Sequence, residues 1–503
     1  MTEPTIHIGR RQLLLGSGLG AAAAAFPGPA VAAASNRTAA HVPVRAPIVA
    51  GVDYPEHRTS ARQRADREHA GRQVAALSSA QARGRVDQII DGMRARQQRA
   101  PRAAAVPFDR YRPGGSDVLV ARGELTVRVE APGALRNAAG PDAAAELRSL
   151  GYEPAVSSLR LVADPRTMVF RGAKSAGQLA RDVATLRGRG VVAALNLVVP
   201  LGYVIKAEDY PVATTGLGPA PQAGPPAAAV RVALVDTGIA AQPRGDGWLS
   251  DVTAGPDAVD PLDVVAPLGR LDWGSGHGTF TAGIVRRVAP GCEIVSYRFC
   301  GADGLGTEKD VADALVRAAQ EGAAAGVPTI VNASLGTTAV DGVPPLALRD
   351  AVEHIAAAYP QVLIVASAGN MGDTEPVYPA AFDGVVAVGA LADDMQPAPF
   401  SSHGPWVRCS TVGVGVVSTF VRGIEPPEAQ PGRADQVFGA DPWALWTGTS
   451  FSAPQISGAV ARLCGENPGL TPRSALDALL AGQPELPGYG RTVRLLPGTV
   501  HNL

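Results

Sequence analysis

Asp236, His277 and Ser450 each sit in a short stretch whose residue types could carry acyl-transfer chemistry. "VRVALVDTGIA" closes an apolar run on Asp236, followed by Thr237 and Gly238. "GSGHGTFTAGIV" sets His277 between glycines at the head of a helical pattern, and "GTSFSAPQISG" sets Ser450 at the head of another. A hydroxyl becomes a nucleophile only when a base takes its proton. The base in turn needs a carboxylate to hold its tautomer and stabilise its cation. Singly, each residue has a plainer role: a turn after a strand, a polar helix start, or a serine N-cap that satisfies an orphan backbone N–H. Pro454, in the first turn after Ser450, costs little there because its missing N–H would be unpaired anyway. Jointly the three supply nucleophile, base and orienting acid.

The elements that must position them follow from the apolar pattern. "VRVALVD", "EIVSYRF", "TIVNASLG", "QVLIVASAG" and "GVVAVGAL" are continuous apolar runs, as expected of strands buried on both faces. Helical patterns fall between them near 278–288, 308–325 and 346–358. Residues 230–503 therefore read as an α/β domain with a mostly parallel central sheet flanked by helices. Ligands of such sheets sit outside the carboxyl ends of the strands, which is where Asp236 falls.

Upstream, Arg10 and Arg11 precede "QLLLGSGLGAAAAAF" and an Ala-x-Ala site at Ala32 and Ala34, so residues 1–34 read as an export signal cleaved after Ala34. The paired arginines and weakly apolar core resemble a twin-arginine signal, with an ordinary secretory signal as the alternative. Either route places the protein outside the cell. Residues 35–104 are rich in arginine and alanine, and read as helical or disordered. Residues 105–207 mix strand patterns such as "ELTVRVEA" with the helical "SAGQLARDVATLRGRG", a small α+β unit. Residues 208–229 form a Pro/Gly/Ala linker without periodicity.

Composition narrows the partners. The 503 residues are 46% hydrophobic and 18% charged with a net charge of −1, which gives no reason to expect a nucleic-acid or anionic-membrane partner. No apolar run of membrane-spanning length follows the signal, so no membrane anchor is expected. Four cysteines (Cys292, Cys300, Cys409, Cys464) permit disulfides in an exported protein. Cys292 and Cys300 flank an extended run at about 3.3 Å per residue, too far apart for a mutual bridge. Any bridge must use Cys409 or Cys464, and four buried thiols are the alternative.

The three stretches resemble, segment by segment, the active-site signatures of the subtilisin-like serine proteases (subtilases). His277 follows Asp236 by 41 residues and Ser450 follows His277 by 173, in the order Asp, His, Ser known from subtilisin. The resemblance implies that Ser450 attacks the scissile carbonyl, His277 acts as base and then acid, and Asp236 orients His277. "IVASAGN" resembles the segment whose asparagine, here Asn370, lends its amide to the oxyanion hole together with the Ser450 N–H. "GADGLGT" (Gly304, Gly306) and "VNASLG" (Ser334, Leu335, Gly336) look like the two segments that clasp an extended peptide by backbone pairing. The implied activity is a secreted serine endopeptidase acting as a monomer on proteins or peptides. A catalytically silent peptide-binding relative and an esterase using the same triad are the alternatives.

Some features depart from the family. "HGTFTAGIVRRVAPG" runs straight toward the next strand without the loop that supplies a tight calcium site in many subtilases, so no cofactor is expected beyond calcium as a stabilising option at other sites. Gln455 stands where histidine is usual and Ser457 where alanine is usual. Val377 lies where it would intrude on the primary specificity pocket. Given the catalytic reading, 105–207 looks like a propeptide that occupies the cleft as an intramolecular inhibitor and assists a slow, long-range folding reaction.

Overall fold

The computed structural model describes residues 60–78, part of 91–95, 106–112, 118–128, 140–155, 167–201, 210–221 and 229–496, the last two spans with short gaps. Residues 1–34, read as an export signal, and much of 35–104 lie outside the described residues. Helix α1 (Ser60–Ser78) has a buried stripe, Asp66, Ala70 and Gln73, at the i, i+4, i+7 spacing of one helical face. Of the two expected alternatives this part of the segment takes the helical one, with one face buried. Two of its three residues are polar, and polar residues in a buried stripe give no periodicity signal until their partners are known.

Strands β1 (Phe108–Tyr111), β2 (Val118–Arg128), β3 (Glu153–Pro154), β4 (Thr167–Arg171) and β5 (Ala193–Pro200) form an antiparallel sheet in the order β5-β2-β4-β3, with β1 beside β2. Helix α2 spans Gly140–Ser149 and helix α3 spans Ala176–Gly188. α3 lays Leu179, Val183 and Leu186 on Val120, Leu125, Val127, Leu195 and Leu197 of the sheet. Within the stretch read as an unstructured linker, Val212–Thr214 forms strand β6. Its backbone pairs with another strand, which the Pro/Gly/Ala composition around it conceals.

The rest alternates. In chain order come β7 (Arg231–Asp236), β8 (Thr253–Ala254), α4 (His277–Val288), β9 (Glu293–Arg298), β10 (Leu305–Thr307), α5 (Glu308–Ala325), β11 (Thr329–Ala333) and α6 (Leu346–Ala358). They are followed by β12 (Leu363–Ser367), β13 (Val386–Leu391), β14 (Val407–Val412), β15 (Val416–Thr419), β16 (Trp443–Trp446), α7 (Ala453–Glu466), α8 (Pro472–Leu480), β17 (Glu485–Leu486) and β18 (Gly490–Thr492). The nine-stranded sheet has the order β17-β18-β14-β13-β12-β11-β7-β9-β8 and is parallel except for the β17–β18 hairpin. Alternate residues of β7 feed two cores. Val232 and Leu234 pack with Phe280, Ile284 and Val460 from α4 and α7, while Ala233 and Val235 pack with Leu315, Ala318 and Leu348 from α5 and α6. Strands covered on both faces must be apolar throughout, which is the pattern read from the sequence.

The two sheets meet where β5 pairs antiparallel with β10 and where β2 lies against α6 and reaches the first residue of α5. Arg128 grips Asp350 through two guanidinium nitrogens, and Thr126 Oγ1 donates to Glu308 Oε1 at 3.2 Å. Burial pushes the Glu308 carboxyl up to about 8, reinforced by nearby Asp350 and opposed by Arg349 and the bond from Thr126. Its raised value means that the docked state holds a proton that the free carboxyl releases near 4.5. The contact is therefore favoured fully below that value and weakened as pH rises through about 8. In a Ser450→Ala chain, Tm should fall by a few degrees between pH 6 and 9, and Glu308→Gln should flatten that slope. An unchanged slope in Glu308→Gln would assign the titration to another group.

Candidate active site

Asp236 is the last residue of β7 and His277 the first of α4, so the fold delivers both to the carboxyl edge of the sheet. His277 Nδ1–H donates to Asp236 Oδ1 at 2.7 Å; a carboxylate can only accept, which sets the tautomer. The same oxygen accepts the Thr237 N–H at 2.7 Å, and Thr281 Oγ1 donates to Oδ2 at 3.2 Å. Asp236 and His277 are 0% and 1% exposed, so this pair is held in a dry environment where the carboxylate acts strongly on the ring.

The close approach of these two elements needs glycine. A Cβ on Gly278 would lie 2.1 Å from the Gly238 carbonyl oxygen, and Gly276, which caps α4, has φ +81°. Asp260 ties them further: its Oδ2 accepts Thr237 Oγ1 at 3.0 Å and the Gly276 N–H at 2.8 Å, and Thr237 Oγ1 accepts the Gly278 N–H at 3.0 Å. Burial pushes the Asp260 carboxyl up to about 7 against these stabilising bonds.

Ser450 lies in the one-turn 3₁₀ segment Thr449–Phe451 that feeds α7. It is 0% exposed; its Oγ donates to the Ser334 carbonyl at 3.4 Å, and Ser334 Oγ donates to the Ser450 carbonyl at 2.8 Å. The rings of Phe451 and Trp446, on either side of Ser450 in the chain, each lie 5.4 Å from the His277 ring. Asn370 follows β12, and its Oδ1 accepts both the N–H and the Oγ1 of Thr449 at 2.9 Å. The Thr449 N–H can only donate, so it fixes the amide orientation and leaves Nδ2 as its donating face. Asp236, His277, Ser334, Asn370 and Ser450 are thus brought together.

The expected peptide-clasping glycines have a different neighbour. Gly306 pairs with Val199, and the Leu201 N–H donates to the Gly304 carbonyl at 3.0 Å, so this edge is taken by the chain's own β5. Gly336 sits against Val377: a Cβ there would lie 2.4 Å from Val377 Cγ1, and a Cβ on Gly369 2.8 Å from Cγ2. Leu335 is buried, its carbonyl accepting from Ser367 Oγ at 3.5 Å. The unusual residues after Ser450 are structural: Gln455 Nε2 donates to the Val412 and Phe451 carbonyls, and Ser457 Oγ donates to Asn332 Oδ1.

All four cysteines are buried free thiols, and burial holds Cys464 at about 11 and Cys292 and Cys409 at about 12, far from the reactive thiolate. Among the described residues, no group of three or more His, Cys, Asp or Glu side chains could hold a metal ion, and no helix is long and apolar enough to cross a membrane. Sequence reading missed Thr281, Asp260, Thr449 and Trp446. Thr281 was legible in principle, one helical turn from His277 and hence on its face.

A buried Asp–His pair set beside a serine-bearing helix start, on a parallel α/β sheet, is the arrangement that serine-dependent acyl transfer requires. Residues 227–486 match the subtilase family, and the chain belongs to that family. It is 31% identical over 250 residues to subtilisin BL of Lederbergia lenta, covering 48% of this chain and 77% of that one. A thermophilic serine proteinase of Bacillus sp. (strain AK1) is 30% identical over 47% of this chain and 52% of its own length. Alkaline elastase YaB of Bacillus sp. (strain YaB) is 31% identical over 48% of this chain and 55% of its own. The chain thus spans about half the length of the last two relatives.

Proposed function

We propose that the chain is an exported serine endopeptidase made as a latent precursor, and that Asp236, His277 and Ser450 form its triad. The buried 2.7 Å bond between His277 and Asp236, beside Ser450, carries this reading. In the reaction Ser450 Oγ leaves the Ser334 carbonyl, turns to His277 Nε2 and gives up its proton as it attacks the substrate carbonyl. His277 then returns that proton to the leaving amine, and a water repeats the sequence on the acyl-enzyme. Asp236 holds the ring and stabilises its cation. Asn370 Nδ2 and the Ser450 N–H, at the positive end of α7, receive the developing oxyanion. These steps need no metal. A fluorophosphonate probe should label Ser450 in the processed protein, which should also cleave peptides; a processed protein that does neither would be a silent relative. An enzyme that turned over simple esters but no peptide would be the esterase.

Asn370→Ala should lower kcat by about 10²–10³ with little change in KM, since the lost donor acts mainly on the transition state; that size comes from the corresponding asparagine of subtilisin, a member of the same family. Initial rates on one fluorogenic peptide test it, and a loss confined to KM would assign Asn370 to substrate binding.

Residues 105–207 act in this reading as the inhibitor and folding template. β5 on the β10 edge supports it, because a strand there denies that edge to a substrate. Val377, filling the space between Gly336 and Gly369, supports a preference for small side chains at the residue before the cleaved bond.

A further inference from the structure

Residues 210–214 lie against the strand that leads into Ser450, and their surroundings are built like a ligand site. β6 pairs antiparallel with β16: Val212 with Leu445, Ala213 with Ala444, and Thr214 with Trp443. β16 runs within four residues into Ser450. The Tyr210 ring, 2% exposed, lies 5.7 Å from the Trp273 ring and 6.3 Å from the Trp446 ring. Trp273 stands four residues before His277 and Trp446 four before Ser450, so the walls of this aromatic cleft belong to the segments that carry base and nucleophile.

We propose that the β16 edge and the Trp273–Trp446 cleft form the binding site for the part of a substrate that follows the scissile bond, taking an extended peptide with an aromatic side chain, and that residues 210–214 occupy it here as a built-in mimic. The inference rests on the endopeptidase reading and deepens it. Direction comes from the chain itself. Residues 193–201 run along β10, and 210–214 run along β16, so residue numbers increase across the site from one edge to the other. A peptide lying the same way places its acyl half on β10 and its departing half on β16.

Two observations distinguish a mimic from permanent core. The Tyr210 hydroxyl is buried with no hydrogen-bond partner among the described residues, so the cleft accepts an aromatic ring without reading its hydroxyl. Helix α1 places Ala70 and Val74 at the core that holds Tyr210 and fastens the strand by polar contacts: Gln73 Nε2 donates to the Tyr210 carbonyl at 3.3 Å, Thr447 Oγ1 donates to Gln73 Oε1 at 2.7 Å, and Thr214 Oγ1 donates to Asp66 Oδ2 at 2.9 Å. Such a latch can be exchanged for water when the precursor is cut.

Fluorogenic peptides with a common acyl half, and Phe, Tyr, Ala or Lys scanned through the four positions after the cleaved bond, test this on the protein purified as it matures. One register should show Phe, at least as well as Tyr, raising kcat/KM about tenfold over Ala, a factor equal to about 1.4 kcal/mol. Trp446→Ala should bring Phe and Ala to parity and Trp446→Phe should retain the preference, with rates normalised to fluorophosphonate-labelled Ser450 so that misfolded protein is not counted. Even cleavage of all peptides, or a preference that survives in both Trp446→Ala and Trp273→Ala, would overturn the site and leave the endopeptidase reading standing. Failure of the wild-type protein to cleave any peptide would overturn both.

Discussion

Ser450→Ala should abolish peptide hydrolysis, with kcat lowered about 10⁶-fold, the size known for loss of the nucleophile in subtilisin, a member of the same family. The geometry makes this a clean test. Among the described residues, the only hydrogen bond of the Ser450 side chain is the long one to the Ser334 carbonyl, whereas the bond from Ser334 Oγ uses the Ser450 backbone and survives the substitution. The turn into α7 is therefore kept, and Tm should change little. Residual hydrolysis, from the oxyanion donors and substrate positioning, should still exceed the uncatalysed rate. Steady-state rates on a fluorogenic peptide give the first readout. The mass of the purified protein gives the second: we propose that the protease cuts its own precursor, so the variant should accumulate uncut. Maturation of isolated Ser450→Ala protein to the wild-type N-terminus would refute autocatalysis, and an unchanged kcat would refute the mechanism.

Asp236→Asn comes next, with an expected loss of about 10⁴ in kcat, the order seen when the triad aspartate of a serine protease becomes asparagine. Asp236 Oδ1 accepts from both the His277 ring and the Thr237 N–H, and Oδ2 accepts from Thr281 Oγ1. An asparagine can keep its oxygen toward Thr237 and His277, with its amide nitrogen donating to Thr281 Oγ1. What it cannot supply is the negative charge that balances the imidazolium formed as Ser450 attacks. Because the site excludes water, no solvent replaces that charge. The loss should appear in kcat with KM nearly constant, and Tm should confirm that the fold is intact. A loss below tenfold would show that His277 does not pass through a cationic state opposite Asp236.

The local pattern carried most of the candidate site. Asp236 closes an apolar run, His277 and Ser450 open helical patterns, and Asn370 closes another apolar run, so their placement at one edge of a parallel sheet follows from the sequence. Asp260 shows the limit: it stands 23 residues from Thr237 yet ties Thr237 to the start of α4, and no spacing rule announces such a bond. The cysteines show another limit, since strand reach excluded one pairing but only the packed core decided that all four are buried thiols.

By itself, then, the sequence determined the elements and the chemistry, because both are written in side-chain types at fixed periods. Only the tertiary structure decided what lies in the cleft. Leu201 on Gly304, β6 on β16 and the α1 latch over Tyr210 rest on main-chain and small polar contacts beside the packing of the Tyr210 ring. Every non-proline residue offers the same N–H and C=O, so where a strand finds its partner leaves little mark on the sequence.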